Sequence, residues 1–338
     1  MSRLDRIARS VAVAATVAAL SWSAAAAAEV QEINLARVNG ISMLPLMMME
    51  RHQLVQKQAK QAGLGDLNVV WWTSGTSNVN NDGLLAGKID MAANGVPTLL
   101  VLWDKTRGTP IEAKALSSIS SNPSTLVTRN KMNSLKDFTD KDRIAVAGVG
   151  VAAVYVMLQM AAEKEFGPGN SGKLDNLAVS MSLPDGMTAM LSPRSEITAH
   201  FASPPYVDRE IKAGRFPLLT AKQILGGGGW DLVLCTTKRF HDANPKTSAA
   251  VLAALTEAIE MIKKDKRGAA ETYIEMSKEK SSVNDILEQI NDPDNEFTTA
   301  PHTVMAFASF LYRVGKIKGE LKTWKDLFFP EAHQLQGS

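Results

Sequence analysis

The stretch NVVWWTSGTSNVNNDGLLAGKIDMAANGVPTLL, residues 68–100, decides the fold. It opens with an apolar run, residues 69–72, whose β-branched and aromatic side chains predict a buried strand. The hydroxyl-rich residues 73–77 then predict a turn and a helix N-cap, and Gly87 ends that helix. A second strand over residues 89–92 leads into a turn with a proline. In an open parallel sheet both turns fall at carboxyl ends of strands, where ligands bind, so we expect half of a binding cleft here.

The first 28 residues have the features of a secretory signal peptide. Three arginines form a basic start, residues 11–20 form an apolar run, and the alanines at 24–28 form a cleavage region. The apolar run is shorter than the roughly 20 residues that span a bilayer. We therefore expect cleavage after Ala28 and a soluble periplasmic protein, with an uncleaved anchor as the alternative.

Charge and cysteine content exclude several classes. The leader holds three of the 37 Lys and Arg residues and one of the 35 Asp and Glu residues, so the remaining chain carries 34 of each. A neutral chain without a basic run does not indicate nucleic-acid binding. Cys235 is the only cysteine, which rules out disulfides within the chain and leaves stability to packed cores. We expect Cys235 itself to be buried in a strand.

About 310 residues exceed what one core usually holds, so we expect two lobes. The break at Asn122-Pro123 marks the first crossing, and a strand at 232–236 returns to the first sheet. The predicted first lobe comprises residues 29–119 and 222–338, and the second comprises residues 120–221. The second lobe repeats the order of elements of the first, with apolar residues, charged residues, strands and turns at matching positions.

Helix and strand boundaries follow from glycine, proline and periodicity. Pro45 starts one helix that runs to about residue 61, and Pro245 starts another. In the second lobe we expect a strand at 143–147, a helix at 151–165, a strand at 177–183 with a turn at 184–186, and a strand at 197–201. The charged region 263–280 is typical of a solvated helical face.

The sequence motifs restrict the reactions and cofactors that are compatible with this chain. Gly148-x-Gly150-x-x-Ala153 follows a strand and opens a helix, as a dinucleotide fingerprint does, but the nearest candidate for the ribose-binding acid is Asp185, well beyond the expected spacing of about 20 residues. The glycines still let a ligand approach N–H groups at a helix N-terminus, which suits an anion. No G-x-S-x-G elbow or H-E-x-x-H metal motif occurs. We expect no catalysis, no cofactor and no metal site.

Four side chains each allow two interpretations. Arg37 ends the first strand and is either an exposed arginine or a bidentate anion ligand. His200 ends a strand beside Ser203 and Tyr206 and is either a cleft residue or a polar core residue. Trp71 and Trp72 point to opposite sides of their strand, so one belongs to the core and the other is a candidate for the cleft wall.

The residues resemble a known family. The cleaved leader, LPLMMMERHQL, LLAGKIDMAANGVPTLL, SSNPSTLVTRNKMNSLKDFTDKDRIAVAGVG, the SPPY turn and VGKIKGELKTWKDLF are together similar to periplasmic solute-binding proteins of the nitrate, sulfonate and taurine ABC importers, a group related to thiamine-precursor proteins. The resemblance covers nearly the whole mature chain. It implies the type II periplasmic binding protein fold, in which two α/β lobes close over one small molecule, with an ABC permease in the inner membrane as partner.

By position, the resemblance and the strand-end turns together give a set of expected ligand-binding residues. They are Arg37, Asn39, Ser42, Thr73, Ser74, Thr76, Asn94, Gly95, Gly150, Val151, His200, Ser203 and Tyr206. Valine and alanine stand after Gly148 and Gly150, where relatives that hold small oxyanions often have serine or threonine. This departure favours a larger or more apolar acid than nitrate or taurine.

We therefore expect a monomeric binding protein that captures a small organic anion, sulfonate-like or carboxylate-like, by hinge closure. The alternatives are a pyrimidine or thiamine-precursor binding protein, a related enzyme or secreted hydrolase, and a sensor that presents its closed form to a membrane receptor. An enzyme of the thiamine-precursor branch would need a catalytic histidine with clustered cysteines or a metal, which a single cysteine argues against.

Overall fold

The structure is a computed structural model that describes residues 29–278 and 280–338. The signal peptide predicted at residues 1–28 lies outside the described residues. The strands are β1 (Glu32–Arg37), β2 (Asn68–Thr73), β3 (Met91–Gly95), β4 (Ala113–Asn122), β5 (Thr125–Thr128), β6 (Ile144–Val146), β7 (Ala178–Ser180), β8 (Ala199–Ala202), β9 (Phe216–Thr220) and β10 (Trp230–Thr237). The α-helices are α1 (Leu44–Arg51), α2 (Leu54–Gln61), α3 (Ser77–Leu85), α4 (Val96–Thr106), α5 (Ala153–Phe166), α6 (Leu183–Leu191), α7 (Tyr206–Lys212), α8 (Ala221–Leu225), α9 (Lys238–Ala243), α10 (Pro245–Lys264), α11 (Lys266–Ser277), α12 (Val283–Asn291) and α13 (Val304–Arg313).

The first sheet has five strands in the order β2–β1–β3–β10–β4. β1 is parallel to β2 and β3, whereas β10 is antiparallel to both β3 and β4. The return strand predicted at residues 232–236 is β10. Because β10 runs against β3, its first residues lie at the same edge of the sheet as the carboxyl ends of β1, β2 and β3.

The second sheet also has five strands, in the order β7–β6–β8–β5–β9. β6 is parallel to β7 and β8, and β5 is antiparallel to β8 and β9. The chain passes from the first sheet to the second between Asn122 and Thr125, and it returns between Thr220 and Trp230. Two sheets with helices packed on them confirm the predicted α/β class.

Apolar packing joins the elements in two large clusters. One cluster places α1, α2, α10 and α11 against the first sheet, and it buries residues 47–49, the methionine run. The other cluster contains Leu100 of α4, Val156 of α5 and Phe201 of β8, so it extends across both sheets. Burying large apolar side chains contributes about 1.5–3 kcal/mol each, so this cluster stabilises the packing of the two sheets in the arrangement seen here.

The helix predicted from Pro45 to about residue 61 is wrong as a single element. The chain forms α1 and α2, and Gln53 between them has a left-handed backbone with φ of 52°. A non-glycine residue in this region interrupts a helix. Neither glycine nor proline stands there, so the sequence carries no local signal for the break.

The strand predicted at residues 177–183 is present but shorter than expected, as β7. β7 ends at Ser180, and α6 begins at Leu183. The Ser182 hydroxyl accepts a hydrogen bond from the Asp185 N–H, and Pro184 lies in the first helical turn, where its missing N–H has no cost. The expected turn at residues 184–186 is therefore the start of a helix.

Three other boundaries differ by a few residues. The strand expected at 89–92 is β3, which extends to Gly95 and is followed at once by α4 without an intervening turn. The helix expected from residue 151 begins at Ala153, because Gly148 and Gly150 have positive φ values of 131° and 99° and keep the chain in a loop. The strand expected at 197–201 is β8.

Candidate functional site

A small cavity lies between the two sheets, at the carboxyl ends of their parallel strands. Its volume is about 50 Å³, which is room for a few water molecules. The residues that follow β1, β2, β3, β6, β7 and β8 all contribute to its wall, together with the start of β10. The lining consists of Val38, Asn39, Ser42, Gly75, Thr76, Ser77, Gly95, Thr98, Ala147, Ala152, Ala153, Val154, Leu183, Ser203, Trp230 and Leu232.

Three helices start at this cavity without a side-chain cap. The N-cap residues are Thr76 for α3, Gly95 for α4 and Ala152 for α5, and none of their side chains caps the helix. All three N-caps line the cavity. The first N–H groups of a helix have no partner within the helix, and the helix dipole places roughly half a positive charge at this end. Two N-termini from the first sheet and one from the second therefore make the cavity electropositive.

The lining contains no ionisable side chain. Its polar groups are the hydroxyls of five serine and threonine residues and the amide of Asn39. Its apolar wall includes Val38, Val154, Leu183 and the ring of Trp230. A ligand in this cavity would meet neutral donors and the helix N-termini rather than a counter-ion.

Five of the thirteen predicted site residues line the cavity, namely Asn39, Ser42, Thr76, Gly95 and Ser203. Gly95 is the last residue of β3, and the other four lie in the segments that follow β1, β2 and β8, close to the strand ends expected from the sequence. Gly150 and Val151 lie in the loop beside the cavity, where the Thr98 hydroxyl donates to the Val151 carbonyl at 3.1 Å. Because Thr98 belongs to α4 and Val151 to the loop after β6, this bond crosses between the halves.

Arg37, Thr73, Ser74 and Asn94 lie outside the cavity, and three of them are hydrogen-bonded to other side chains. Arg37 is 7% exposed, and its Nη2 donates to Glu50 Oε2 of α1 at 2.6 Å. Ser74 donates to Asn80 Oδ1 at 2.7 Å, and Asn94 donates to Asn81 Oδ1 at 2.9 Å. The fourth residue of this group, Thr73, is exposed at the end of β2. None of the four lines the cavity.

His200 and Tyr206 lie in the interior of the second half rather than in the cavity. His200 Nδ1 is 2.6 Å from Glu210 Oε1, and both side chains are fully buried. Gly186 of α6 packs directly on the imidazole, since a Cβ there would lie 2.5 Å from His200 Nε2. Tyr206 belongs to a small apolar cluster with Val127. The structure supports the interpretation of His200 as a polar core residue.

The cavity's aromatic residue is Trp230, which the sequence analysis did not select. Trp71 packs against the helical core, and Trp72 is 51% exposed, with its Nε1 donating to Asn34 Oδ1 at 3.0 Å. Trp230 follows the glycine run 226–229 and starts β10. The start of a strand lies at the carboxyl edge of the parallel strands only when that strand runs antiparallel to them. The position of Trp230 at the cavity therefore depends on the direction of β10, which the sequence did not show.

Charged contacts join the halves at their outer edges. Arg313 Nη2 of α13 lies 2.7 Å from Glu163 Oε2 of α5, and Lys212 of α7 pairs with Asp285 of α12. Near the second contact, burial raises the pKa of Asp208 to about 6, and the acidic Asp292 raises it further, while Lys212 opposes the shift. A carboxylate at this edge is therefore costly at neutral pH.

The architecture described above, two five-stranded α/β halves around a cavity, is that of the type II periplasmic binding proteins. The family model described as the NMT1-like family matches residues 26–276, and the chain belongs to this family. A comparison with curated proteins finds no significant sequence match.

Solved structures with the same fold include three bacterial binding proteins. The alkanesulfonate-binding protein SsuA from Xanthomonas axonopodis pv. citri, bound to MOPS, has a TM-score of 0.69 and 15% identity, covering 92% of this chain and all of that one. The periplasmic nitrate-binding protein NrtA from Synechocystis PCC 6803 has a TM-score of 0.66 and 16% identity, covering 88% and 85% of the two chains. The ligand-binding component of an ABC-type import system from Staphylococcus aureus, with zinc bound, has a TM-score of 0.65 and 14% identity, covering 90% and 98%. The family and fold that the sequence resembled are thus confirmed.

Residues 29–278 and 280–338 show neither a membrane-spanning helix nor a metal-binding cluster. No helix in these ranges is long and apolar enough to cross a membrane. The same ranges contain no group of three or more His, Cys, Asp or Glu side chains arranged to hold a metal ion.

Proposed function

We propose that this protein is the extracytoplasmic solute-binding component of an ABC importer and captures a small organic anion between its two lobes. The observation that carries the proposal is the convergence of three uncapped helix N-termini, from both halves, on one cavity. Such N-termini bind anions through free N–H groups and the helix dipole. We place the first lobe at residues 29–119 and 222–338, and the second at residues 120–221, behind a signal peptide at residues 1–28.

The ligand class follows from what lines the cavity. A buried charge without hydrogen bonds is unfavourable by several kcal/mol, and here only backbone N–H groups, hydroxyls and Asn39 are available to bind it. These groups suit a singly charged sulfonate or carboxylate. The apolar wall, which includes Val154, Leu183 and Trp230, suits a hydrocarbon body on the same ligand.

Capture requires the two lobes to separate. Pockets for organic ligands typically have volumes of about 300 Å³ or more, whereas this cavity has about 50 Å³. The chain crosses between the sheets twice, which is compatible with rotation about two short connections. The ligand would then bind the open cleft, and closure would surround it with the N-termini of both lobes.

The structural neighbours support this proposal. They include an alkanesulfonate-binding protein, a nitrate-binding protein and the ligand-binding component of an ABC-type import system. We accordingly propose a permease of the inner membrane as partner, a periplasmic location, a monomer, and transport without catalysis. The sequence-based choice of thirteen ligand residues stays a prediction, with the five that line the cavity as its strongest members.

A second candidate is a neutral heterocycle such as a thiamine-precursor pyrimidine. One observation favours it: the cavity presents an aromatic ring, Trp230, and no cationic side chain, while Arg37 is held by Glu50. An aromatic ligand stacks on such a ring without any need for charge.

A substitution at the N-cap of α3 separates the two candidates. Thr76→Asp introduces a carboxylate that caps α3 at least as well as threonine, so the fold should be kept. The same carboxylate repels an anion in the cavity. Thr76→Asn is the matched control, because asparagine is also a strong N-cap but carries no charge.

Binding would be measured by calorimetry and by thermal shift with butane-1-sulfonate, butanoate, butan-1-ol and hydroxymethylpyrimidine. We expect one or both anions to raise the melting temperature of the wild type, by mass action on the folded state, and butan-1-ol to have no effect. Thr76→Asp should lose this response, and Thr76→Asn should keep most of it. Binding of the pyrimidine alone, insensitive to Thr76→Asp, would favour the second candidate. If none of the four compounds binds, the organic-anion proposal is wrong.

A further inference from the structure

Ser124 occupies the first passage between the sheets, directly after Pro123. It is only 1% exposed. Its hydroxyl accepts a hydrogen bond from Trp230 Nε1 at 2.7 Å and lies 2.5 Å from the hydroxyl of Ser203. Trp230 and Ser203 both line the cavity, one from the first sheet and one from the second. A single buried hydroxyl therefore touches both walls of the cavity.

The same residue also contacts the second passage. The Ser124 carbonyl accepts a hydrogen bond from the Ala221 N–H at 2.8 Å, where the chain leaves β9 on its way back to the first sheet. At the other end of that return, Gly229 packs on the backbone of Asn122, where a Cβ would lie 2.3 Å from the Asn122 carbonyl oxygen. The two connections thus run side by side, and the Ser124 carbonyl joins the first to the start of the second.

The chemistry of the hydroxyl makes this arrangement specific. A serine hydroxyl has one proton to donate and two lone pairs to accept. The indole N–H of Trp230 can only donate, so Ser124 accepts from it. Ser124 keeps a proton and a second lone pair, and either hydroxyl can be the donor in its bond with Ser203. In a buried site each of these groups has few alternative partners, and loss of the hydroxyl leaves a donor unsatisfied.

We propose that Ser124 is a positioning residue that couples the width of the ligand cleft to the hinge. The hydrogen bonds of its hydroxyl hold the Trp230 wall and the Ser203 wall of the cavity at the separation seen here. Its carbonyl joins the two connections between the lobes. Rotation of one lobe against the other changes the distance from Ser124 to Trp230, so the bond favours the closed arrangement. The inference rests on the proposed function, since it assigns a part in closure of that cleft.

The test measures the separation of the lobes directly. Spin labels are placed at Lys88→Cys in the first lobe and Lys173→Cys in the second, both at exposed positions. Cys235 is completely buried, so labelling is selective for the introduced pair. Distance distributions from pulsed electron paramagnetic resonance are recorded without ligand and with millimolar butane-1-sulfonate.

Ser124→Ala should shift the distribution to longer separations and weaken butane-1-sulfonate binding about fivefold, the effect of one hydrogen bond. Trp230→Phe, which removes the indole donor but keeps an aromatic ring, should shift the distribution in the same direction. Ser118→Ala is the matched control, because this fully buried serine donates to the Leu232 carbonyl within the first sheet and touches neither passage. It should leave the separation unchanged.

A merely structural role for Ser124 would lower the melting temperature of Ser124→Ala without changing the lobe separation. That result, or distributions for Ser124→Ala and wild type that coincide under both conditions, would overturn the inference. If the wild type does not bind butane-1-sulfonate, a sulfonate ligand is contradicted, and the ligand-free distances still decide the role of Ser124.

Discussion

The hydrogen bond from Thr98 to the Val151 carbonyl offers a direct test of closure. Thr98 lies on α4 of the first lobe, and Val151 lies in the glycine loop of the second, with 3.1 Å between the two oxygen atoms. Separation of the lobes must break this bond. Thr98→Val replaces the hydroxyl with a methyl group of similar size in a fully buried position, so the change removes the bond with little change in volume.

The magnitude follows from the surroundings of the acceptor. A neutral hydrogen bond contributes about 0.5–1.5 kcal/mol net. Val151 is half-buried, so water can replace the lost donor in part, and we expect about 1 kcal/mol. This energy is lost from the closed arrangement alone. A ligand that binds the closed form should therefore bind about fivefold more weakly.

The assay compares affinity with stability for two threonines on one helix. Thr106 is also a buried threonine of α4, but its hydroxyl donates to the Leu102 carbonyl and accepts from the Ala113 N–H within the first lobe. Thr106→Val should lower the free energy of unfolding by about 1–3 kcal/mol, because it leaves a buried N–H unpaired, and should leave affinity unchanged. Calorimetry with the best-binding anion and denaturant unfolding give the two quantities.

Two outcomes would refute this reasoning. Thr98→Val with wild-type affinity would mean that the bond is absent from the ligand-bound form. A loss of affinity in Thr106→Val equal to that in Thr98→Val would mean that affinity follows the stability of the first lobe rather than contacts between the lobes.

Two other predictions concern the second lobe. Gly186→Ala should destabilise the fold by about 1–3 kcal/mol, because its Cβ would lie 2.5 Å from the buried ring of His200, whereas Gly227→Ala, with open space around it, should have little effect on the melting temperature. Asp208 has a folded pKa raised to about 6 from 3.8, so the folded state binds the extra proton and stability falls as pH rises between about 4 and 6. Asp208→Asn should remove this loss, so its melting temperature relative to wild type should be higher at pH 7.5 than at pH 4; equal differences at both pH values would contradict the cause given.

Local signals in the sequence were sufficient for the outline of the fold. Glycine and proline punctuation, together with runs of β-branched residues, located β1, β2 and β10 within two residues of their ends, and Pro245 marked the start of α10. These signals act over a few neighbouring residues, through backbone conformation and capping. They also placed the turns at strand ends, and Asn39, Ser42, Thr76, Gly95 and Ser203 were found there.

Local signals failed where the backbone had no marked residue. The break at Gln53 has neither glycine nor proline. Ser182 caps a helix, but the residues around it also favour a strand, so the local sequence is compatible with both. The result depends on how the following segment packs, which a window of ten residues does not contain.

Only the tertiary structure decided which side chains face the cavity. Arg37 turns to Glu50, His200 turns to Glu210, and Trp230 reaches Ser124, a residue 106 positions away in the chain. The convergence of three helix N-termini likewise depends on the order and direction of strands in two sheets. Sequence determines where a strand ends, but the direction of a side chain and the meeting of distant ends are set by long-range packing, because many partners compete for each polar group.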